Sequence, residues 1–160
     1  MASEWSGFPQ LLIEPMGDHD LREVIAIEEE SFPVAGSLSL WQRELASGMA
    51  RNLMARIRHG DREEAAGFLN CWIVAGELQL NTIAVRKGWR RLGIAARLMA
   101  AMMRLAAAEG LESATLEVRS SNQAAIKLYE KFNFVLKGTR KRYYDDTGED
   151  ALIMWARIEK

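Results

Sequence analysis

The sequence predicts a mixed α/β (α+β) fold: a mostly antiparallel sheet of about seven strands, flanked by about four helices. Three observations lead there. Residues 92–109 and 122–131 each carry apolar side chains at helical spacing, and each lies between extended runs, as a crossover between parallel strands requires. Short turns at 59–61, 75–76 and 145–148 join other extended runs directly, as hairpins do. The composition is that of an ordinary globular chain, with 49% hydrophobic and 27% charged residues, and 160 residues suit one domain spanning 1–160.

Taken in order, residues 1–10 are expected to be a flexible N-terminal extension. Residues 11–15 read as a short strand, ended by Pro15 and Gly17. Asp18 or Asp20 caps a helix in which Leu21, Val24, Ile25 and Ile27 share a face, and which stops before Pro33. Its last turn carries Glu28, Glu29 and Glu30, where the helix dipole disfavours carboxylates. The sequence offers no reason for them. Ser39 caps a short second helix through Leu45, stopping near Gly48. Strands follow at 52–58, 65–74 and 77–85. In the last of these, Leu78, Leu80, Thr82 and Ala84 are expected on one face. The helix at 92–109 is the clearest element. Ala95, Leu98, Met99, Met102, Leu105 and Ala106 form its inner stripe, Arg97 and Arg104 lie opposite, and Gly110 ends it. A strand at 114–118 leads to a helix at 122–131 with Ala125, Leu128, Tyr129 and Phe132 inward. Asn133 is a left-handed cap, and strands at 135–144 and 151–158 form the final hairpin.

Charge and composition exclude several classes. With 21 Lys and Arg against 22 Asp and Glu, the net charge is −1, so direct nucleic-acid binding is not expected. The basic run at 137–142 reads as a solvated face. Cys71 is the one cysteine, which excludes an intrachain disulfide and a cysteine metal site. It reads as a small buried apolar residue. His19 and His59 stand alone, so no metal is expected. No apolar run approaches a membrane span, and Met1 to Gln10 lack the pattern of a signal peptide. A cytoplasmic location is the expectation.

The most informative segment runs from Ile83 through Ala84, Val85, Arg86, Lys87, Gly88 and Trp89 to Arg90, Arg91, Leu92, Gly93, Ile94, Ala95 and Ala96. An extended run enters a basic, glycine-bearing turn, and a long helix starts there. The first-turn N–H groups have no partner inside a helix, and the dipole adds positive potential, so the place suits an anion. Gly93 and Ala95 keep the approach clear, while Arg90 and Arg91 add charge. A glycine turn that merely starts a helix is the plainer alternative.

The run Arg90-x-x-Gly93-x-Ala95 resembles the Q/R-x-x-G-x-G/A motif of the GNAT superfamily of acetyltransferases. The segment 116–130, Leu-Glu-Val-Arg-Ser-Ser-Asn-Gln-Ala-Ala-Ile-Lys-Leu-Tyr-Glu, resembles the L-E-V-R-x-S-N-x-x-A-x-x-L-Y-E stretch of the RimI-like ribosomal-protein-alanine N-acetyltransferases. Arg142-Tyr143-Tyr144, followed by residues 149–154, is similar to that subfamily's C-terminal hairpin. The resemblance extends from Leu11 to Ile158. It implies the GNAT fold, acetyl-CoA as co-substrate, and no metal.

The resemblance also implies roles. Ile83, Ala84 and Val85 would present backbone groups to the acetyl and pantetheine portion, and Arg90 to Ala96 would hold the pyrophosphate. Glu117 would be the general base, and Tyr129 the general acid for the departing thiolate. Asn122 would contact the coenzyme, and Tyr143 and Tyr144 would wall the acceptor groove. Each has a plainer reading: Glu117 a surface carboxylate paired with Arg119 or a lysine, Tyr129 a core-edge ring, Asn122 a helix cap. A Ser120–Gln123 capping box is the alternative to the Asn122 cap. The implied acceptor is a protein N-terminus such as that of a ribosomal protein. A small amine, a lysine side chain, or a non-catalytic acyl-CoA-binding module are the alternatives. The subfamily's Pro-Trp pair is replaced here by Pro33-Val34, which bears on acceptor choice. The oligomeric state is left open.

Overall fold

The computed structural model describes residues 9–160. The expected extension at 1–10 falls largely on 1–8, outside the described residues, and Gln10 already opens the first strand. The elements are β1 (Gln10–Pro15), α1 (Leu21–Ser31), α2 (Leu38–Ala46), β2 (Ala50–His59), β3 (Arg62–Val74), β4 (Glu77–Val85), α3 (Ile94–Ala108), β5 (Ser113–Arg119), α4 (Gln123–Glu130), β6 (Val135–Arg140) and β7 (Ala151–Arg157). One sheet holds all seven strands in the order β1-β2-β3-β4-β5-β7-β6. Every neighbouring pair is antiparallel except β4–β5. The predicted mixed sheet and helix count are therefore found.

Two cores lie on the two faces. The larger joins Leu69 and Cys71 of β3, Leu78 and Leu80 of β4, Leu116 and Val118 of β5 and the α3 stripe of Ile94, Leu98, Met99, Met102 and Ala106. The smaller joins Leu21, Val24 and Ile27 of α1 and Trp41 of α2 to Met54, Phe68 and Ala84. The Trp41 and Phe68 rings meet edge to face at 5.4 Å.

The expected face of β4 is corrected by a bulge. Asn70 opposes Thr82 but Cys71 opposes Leu80, so Asn81 is an extra residue. The alternation slips by one there. Leu78 and Leu80 face the larger core, whereas Ala84 joins the smaller one.

Other boundaries shift for local reasons. Ser37, not Ser39, caps α2, accepting from Leu40 N at 3.2 Å. Arg91 and Gly93 sit at φ 63° and 80°, so the turn continues through Leu92 and α3 starts only at Ile94. Gln123 Nε2 donates to the Ser120 carbonyl, so no Ser120–Gln123 capping box forms, and Asn122 Oδ1 caps α4 through Ala125 N at 3.2 Å. β6 stops at Arg140 rather than reaching Tyr144, because Arg142 turns at φ 51° and its N–H goes to the Asp150 carboxylate at 3.0 Å.

The acidic end of α1 is explained by its neighbours. Glu28 Oε1 accepts from Trp41 Nε1 at 2.7 Å and from Gly36 N at 3.0 Å, tying the 32–37 loop to both helices. Glu30 accepts from Lys87 N at 3.0 Å.

One buried ion pair matters for stability. Arg56 on β2 meets Asp20 at 2.6 Å, with side-chain exposures of 9% and 2%. Asp20 also accepts from Gly17 N at 2.8 Å. Asp20→Ala leaves a guanidinium buried with only Glu14 beside it at 3.0 Å and Glu63 at 3.7 Å. The expected loss is about 3 kcal/mol, seen by calorimetry as a Tm lower by roughly 5–10 °C. An unchanged Tm would mean that Glu14 and Glu63 hold Arg56 without help.

Candidate active site

The site is made where the sheet comes apart. β4 and β5 pair only from Glu77–Ser113 to Leu80–Leu116 and then diverge. The gap opens into a cleft of about 1320 Å³. Ile83, Ala84, Val85, Arg90, Arg91, Gly93, Ile94, Ala95, Ala96, Glu117, Asn122, Tyr129, Tyr143 and Tyr144 all line it. Of the residues expected at a site, Leu92 alone is absent from the lining, and it is 59% exposed.

The helix end in this cleft suits phosphate. Arg91 and Gly93 both take the left-handed conformation, so the chain turns tightly into the helix start. The first α-helical bond runs from Arg97 N to Gly93 O, so the N–H groups of Ile94, Ala95 and Ala96 precede the ladder. Arg90 has a different position from the one expected of a charge donor. Its Nε donates to Val85 O at 2.9 Å and its guanidinium reaches Ser31 Oγ at 3.2 Å, bracing the turn against β4 and α1.

Glu117 sits on β5 just past the split, its side chain 30% exposed. Its partner is neither Arg119 nor a lysine. Arg140 Nε of β6 donates to Glu117 Oε1 at 3.1 Å. Arg119 is instead engaged with Asp146, at 2.9 and 3.0 Å, and stacks over the Tyr144 ring at 4.0 Å. Tyr143 and Tyr144 meet edge to face at 5.2 Å. Tyr129 on α4 is 7% exposed and packs against Phe134 at 6.1 Å. Burial pushes its hydroxyl up to about 12, with Tyr144 adding to the effect. The phenol therefore keeps its proton through the physiological range.

Residues that sequence reasoning passed over as site residues also line the cleft: Asn81 and Thr82 beside the bulge, Phe32 on the loop held by Glu28, and Asp146; Val34, singled out for acceptor choice, lines it too. Asn81 and Thr82 are placed by the cross-strand register at the bulge, which local patterns do not carry. Among the described residues no group of three His, Cys, Asp or Glu could hold a metal. Among the described residues no helix is long and apolar enough to cross a membrane.

Comparison with known proteins meets this geometry. The acetyltransferase (GNAT) family model matches residues 19–134. A protein of Bacillus subtilis (strain 168), provisionally named a ribosomal protein bS18-alanine N-acetyltransferase, is 33% identical over 88% of this chain and 91% of its own length. The Haemophilus ducreyi bS18-alanine N-acetyltransferase is 27% identical over 89% of this chain and 97% of its own. The crystal structure of the Escherichia coli ribosomal-protein-S18-alanine N-acetyltransferase superposes with a TM-score of 0.82, at 27% identity, covering 94% of this chain and 96% of that one. Arabidopsis thaliana NAA60 in complex with acetyl-CoA shares the fold, with a TM-score of 0.83 at 20% identity, covering 93% of this chain and 99% of that one. The split strands, the amide-lined turn and the match along most of the chain lead to one conclusion: the chain belongs to the GNAT family and is an acetyl-CoA-dependent N-acetyltransferase.

Proposed function

We propose that the acceptor is the N-terminal α-amine of a protein, with a ribosomal protein as the first candidate, and that Glu117 and Tyr129 are the general base and general acid. The observation that carries this reading is that the two side chains line one cleft whose mouth is open. Phe32, Val34 and Tyr143 stand exposed there at 37%, 82% and 50%, as a groove for an extended chain needs. The names of the bacterial relatives point to the same class of acceptor.

The residue roles follow from acid–base chemistry. An α-amine has a pKa of about 7.7–8.0, so it arrives mostly protonated at neutral pH and needs a carboxylate to take its proton. Glu117 supplies that carboxylate. The backbone of Ile83, Ala84 and Val85 borders the gap and is disposed to orient the thioester by hydrogen bonds. Tyr129 donates to the departing sulfur. The N–H groups of residues 91–96 hold the coenzyme's phosphates, and Tyr143 and Tyr144 wall the acceptor side.

The test is a thiol-release assay with acetyl-CoA against N-terminal peptides, lysine-bearing peptides and small amines. Turnover on Ala- or Ser-starting peptides supports the reading. Turnover confined to small amines or lysine side chains overturns the acceptor assignment, and tight acetyl-CoA binding with no turnover on any acceptor overturns the enzymatic roles of both residues.

A pH profile tests Tyr129 separately. Its raised pKa extends the protonated form upward, so no alkaline loss should come from this group until pH nears about 12. On a peptide acceptor kcat/KM is expected to rise through about pH 8, as the α-amine loses its proton, and to stay level to about pH 10. A fall centred below pH 9 would count against a protonated Tyr129 in the reaction.

A further inference from the structure

The candidate base has a neighbour across the split. Leu80 and Leu116 form the last β4–β5 pair, and both pack into the larger core. The next residues are Asn81 and Glu117. Glu117 lies between Leu116 and Val118, both in that core, so its side chain turns to the other face. Asn81, at the bulge, is held to that same face by its bond to Asn70, which lies between the core residues Leu69 and Cys71. Asn81, the extra residue of the bulge, is exposed and lines the cleft.

The Asn81 amide has a fixed direction. Its Nδ2 donates to Asn70 Oδ1 at 3.1 Å. Asn70 is 4% exposed, and its own Nδ2 donates to Asn52 Oδ1 at 2.6 Å and to Glu44 Oε2 at 3.2 Å. The direction is set at the far end, because an ionised carboxylate only accepts. Glu44 obliges Asn70 to turn its Nδ2 toward α2 and its Oδ1 toward Asn81. Asn81 must answer with Nδ2, which leaves its Oδ1 as the atom available to the cleft. Trp72 Nε1 anchors Glu44 in this position, donating to the same oxygen at 2.8 Å.

We propose that Asn81 Oδ1 accepts a hydrogen bond from the acceptor amine beside Glu117, and that this contact selects primary over secondary amines. The inference rests on the reading of Glu117 as the base. A neutral primary amine attacking a thioester directs its lone pair at the carbonyl carbon and keeps two N–H bonds. One faces the Glu117 side and the other faces Asn81 Oδ1. A secondary amine has a single N–H when neutral and leaves one of the two acceptors unpaired, which is costly in a partly desolvated site. Asn70 and Glu44 act through Asn81 and are positioning residues.

The test compares wild type, Asn81→Leu, Glu44→Leu and Glu117→Gln on two acceptors that differ by one methyl: the best primary amine found for the wild type, peptide or small molecule, and its N-methyl counterpart. Tm and the Kd for acetyl-CoA are measured alongside. Asn81→Leu is expected to lower kcat/KM on the primary amine about ten-fold, the size of one hydrogen bond to a charged or reacting group. It should also narrow the preference over the N-methyl acceptor, with Tm and acetyl-CoA affinity held. Glu44→Leu removes the acceptor that sets the direction of the amide chain and should lose a part of the same preference. An Asn81→Leu enzyme with unchanged preference overturns the inference, whether or not its rate falls. If that happens while Glu117→Gln is impaired, the base assignment stands without it. If Glu117→Gln is unimpaired but Asn81→Leu loses the preference, the base assignment fails and the Asn81 contact stands.

Discussion

Glu117→Gln is expected to lower kcat on a peptide acceptor about a hundred-fold at neutral pH, the middle of the range for a lost general base. The variant keeps the shape of the side chain and removes its ability to take a proton. It also removes the ion pair with Arg140, but that pair joins side chains 55% and 30% exposed, where such contacts contribute at most about 1 kcal/mol. A hundred-fold loss corresponds to about 2.7 kcal/mol in the barrier. The deficit therefore exceeds what the ion pair supplies, and Tm should move little. The deciding observation is how the deficit varies with pH. Above the amine's own pKa the acceptor is already neutral, so the variant should recover toward wild type as pH approaches about 9.5. A deficit that stays constant from pH 6.5 to 9.5 would assign Glu117 an electrostatic or binding role.

Tyr129→Phe is expected to lower kcat by a similar factor, about a hundred-fold, with the Kd for acetyl-CoA nearly unchanged. The ring stays packed on Phe134, so the fold keeps its buried aromatic contact. What is lost is the proposed donor to the leaving sulfur. An acid raised to about 12 does not hand its proton outright to a thiolate of ordinary pKa near 8.5. The larger part of its help is then the hydrogen bond donated as negative charge develops on sulfur. This predicts a dependence on the donor: acetyl thioesters of more acidic thiols need less stabilisation, so the Tyr129→Phe deficit should shrink with them. A deficit that is the same for every thioester would remove Tyr129 from the sulfur.

Periodicity made the positions of both residues legible, but the roles proposed for them came from the family resemblance, since position alone reads Glu117 as a surface carboxylate and Tyr129 as a core-edge ring. Glu117 follows Leu116 on an alternating strand, and Tyr129 lies on the inner stripe of a helix with Ala125 and Leu128. The glycine-bearing turn before α3 was legible for the same reason, as a break between two strong periodic runs. The bulge at Asn81 was not. It is a relation between two strands, visible only when Asn70 is set against Thr82 and Cys71 against Leu80. Alternation read from β4 alone therefore carried Leu78 and Ala84 to the same face, when they lie on opposite ones. The partner of Glu117 was hidden likewise, since Arg140 is 23 residues away and reaches it across β7. The three glutamates closing α1 made no sense as a helix end. Glu28 and Glu30 do, once Trp41 and Gly36 are seen to come to the first and Lys87 to the second.

The parting of β4 from β5 has a mechanical consequence. Four residue pairs are all that stitch the sheet between its two banks, one holding β1 to β4 and the other β5, β7 and β6. A seam that short is the natural line of breathing, with amides on either bank exchanging through a partial opening well below the cost of full unfolding. A ligand in the gap that bonded to both banks would make them one cooperative unit. Ligand at a hundred times its Kd adds about 2.7 kcal/mol to the folded state, and the slowing of amide exchange should be concentrated along this seam. Substrate thereby does structural work before it reacts, serving as the missing rung of the sheet.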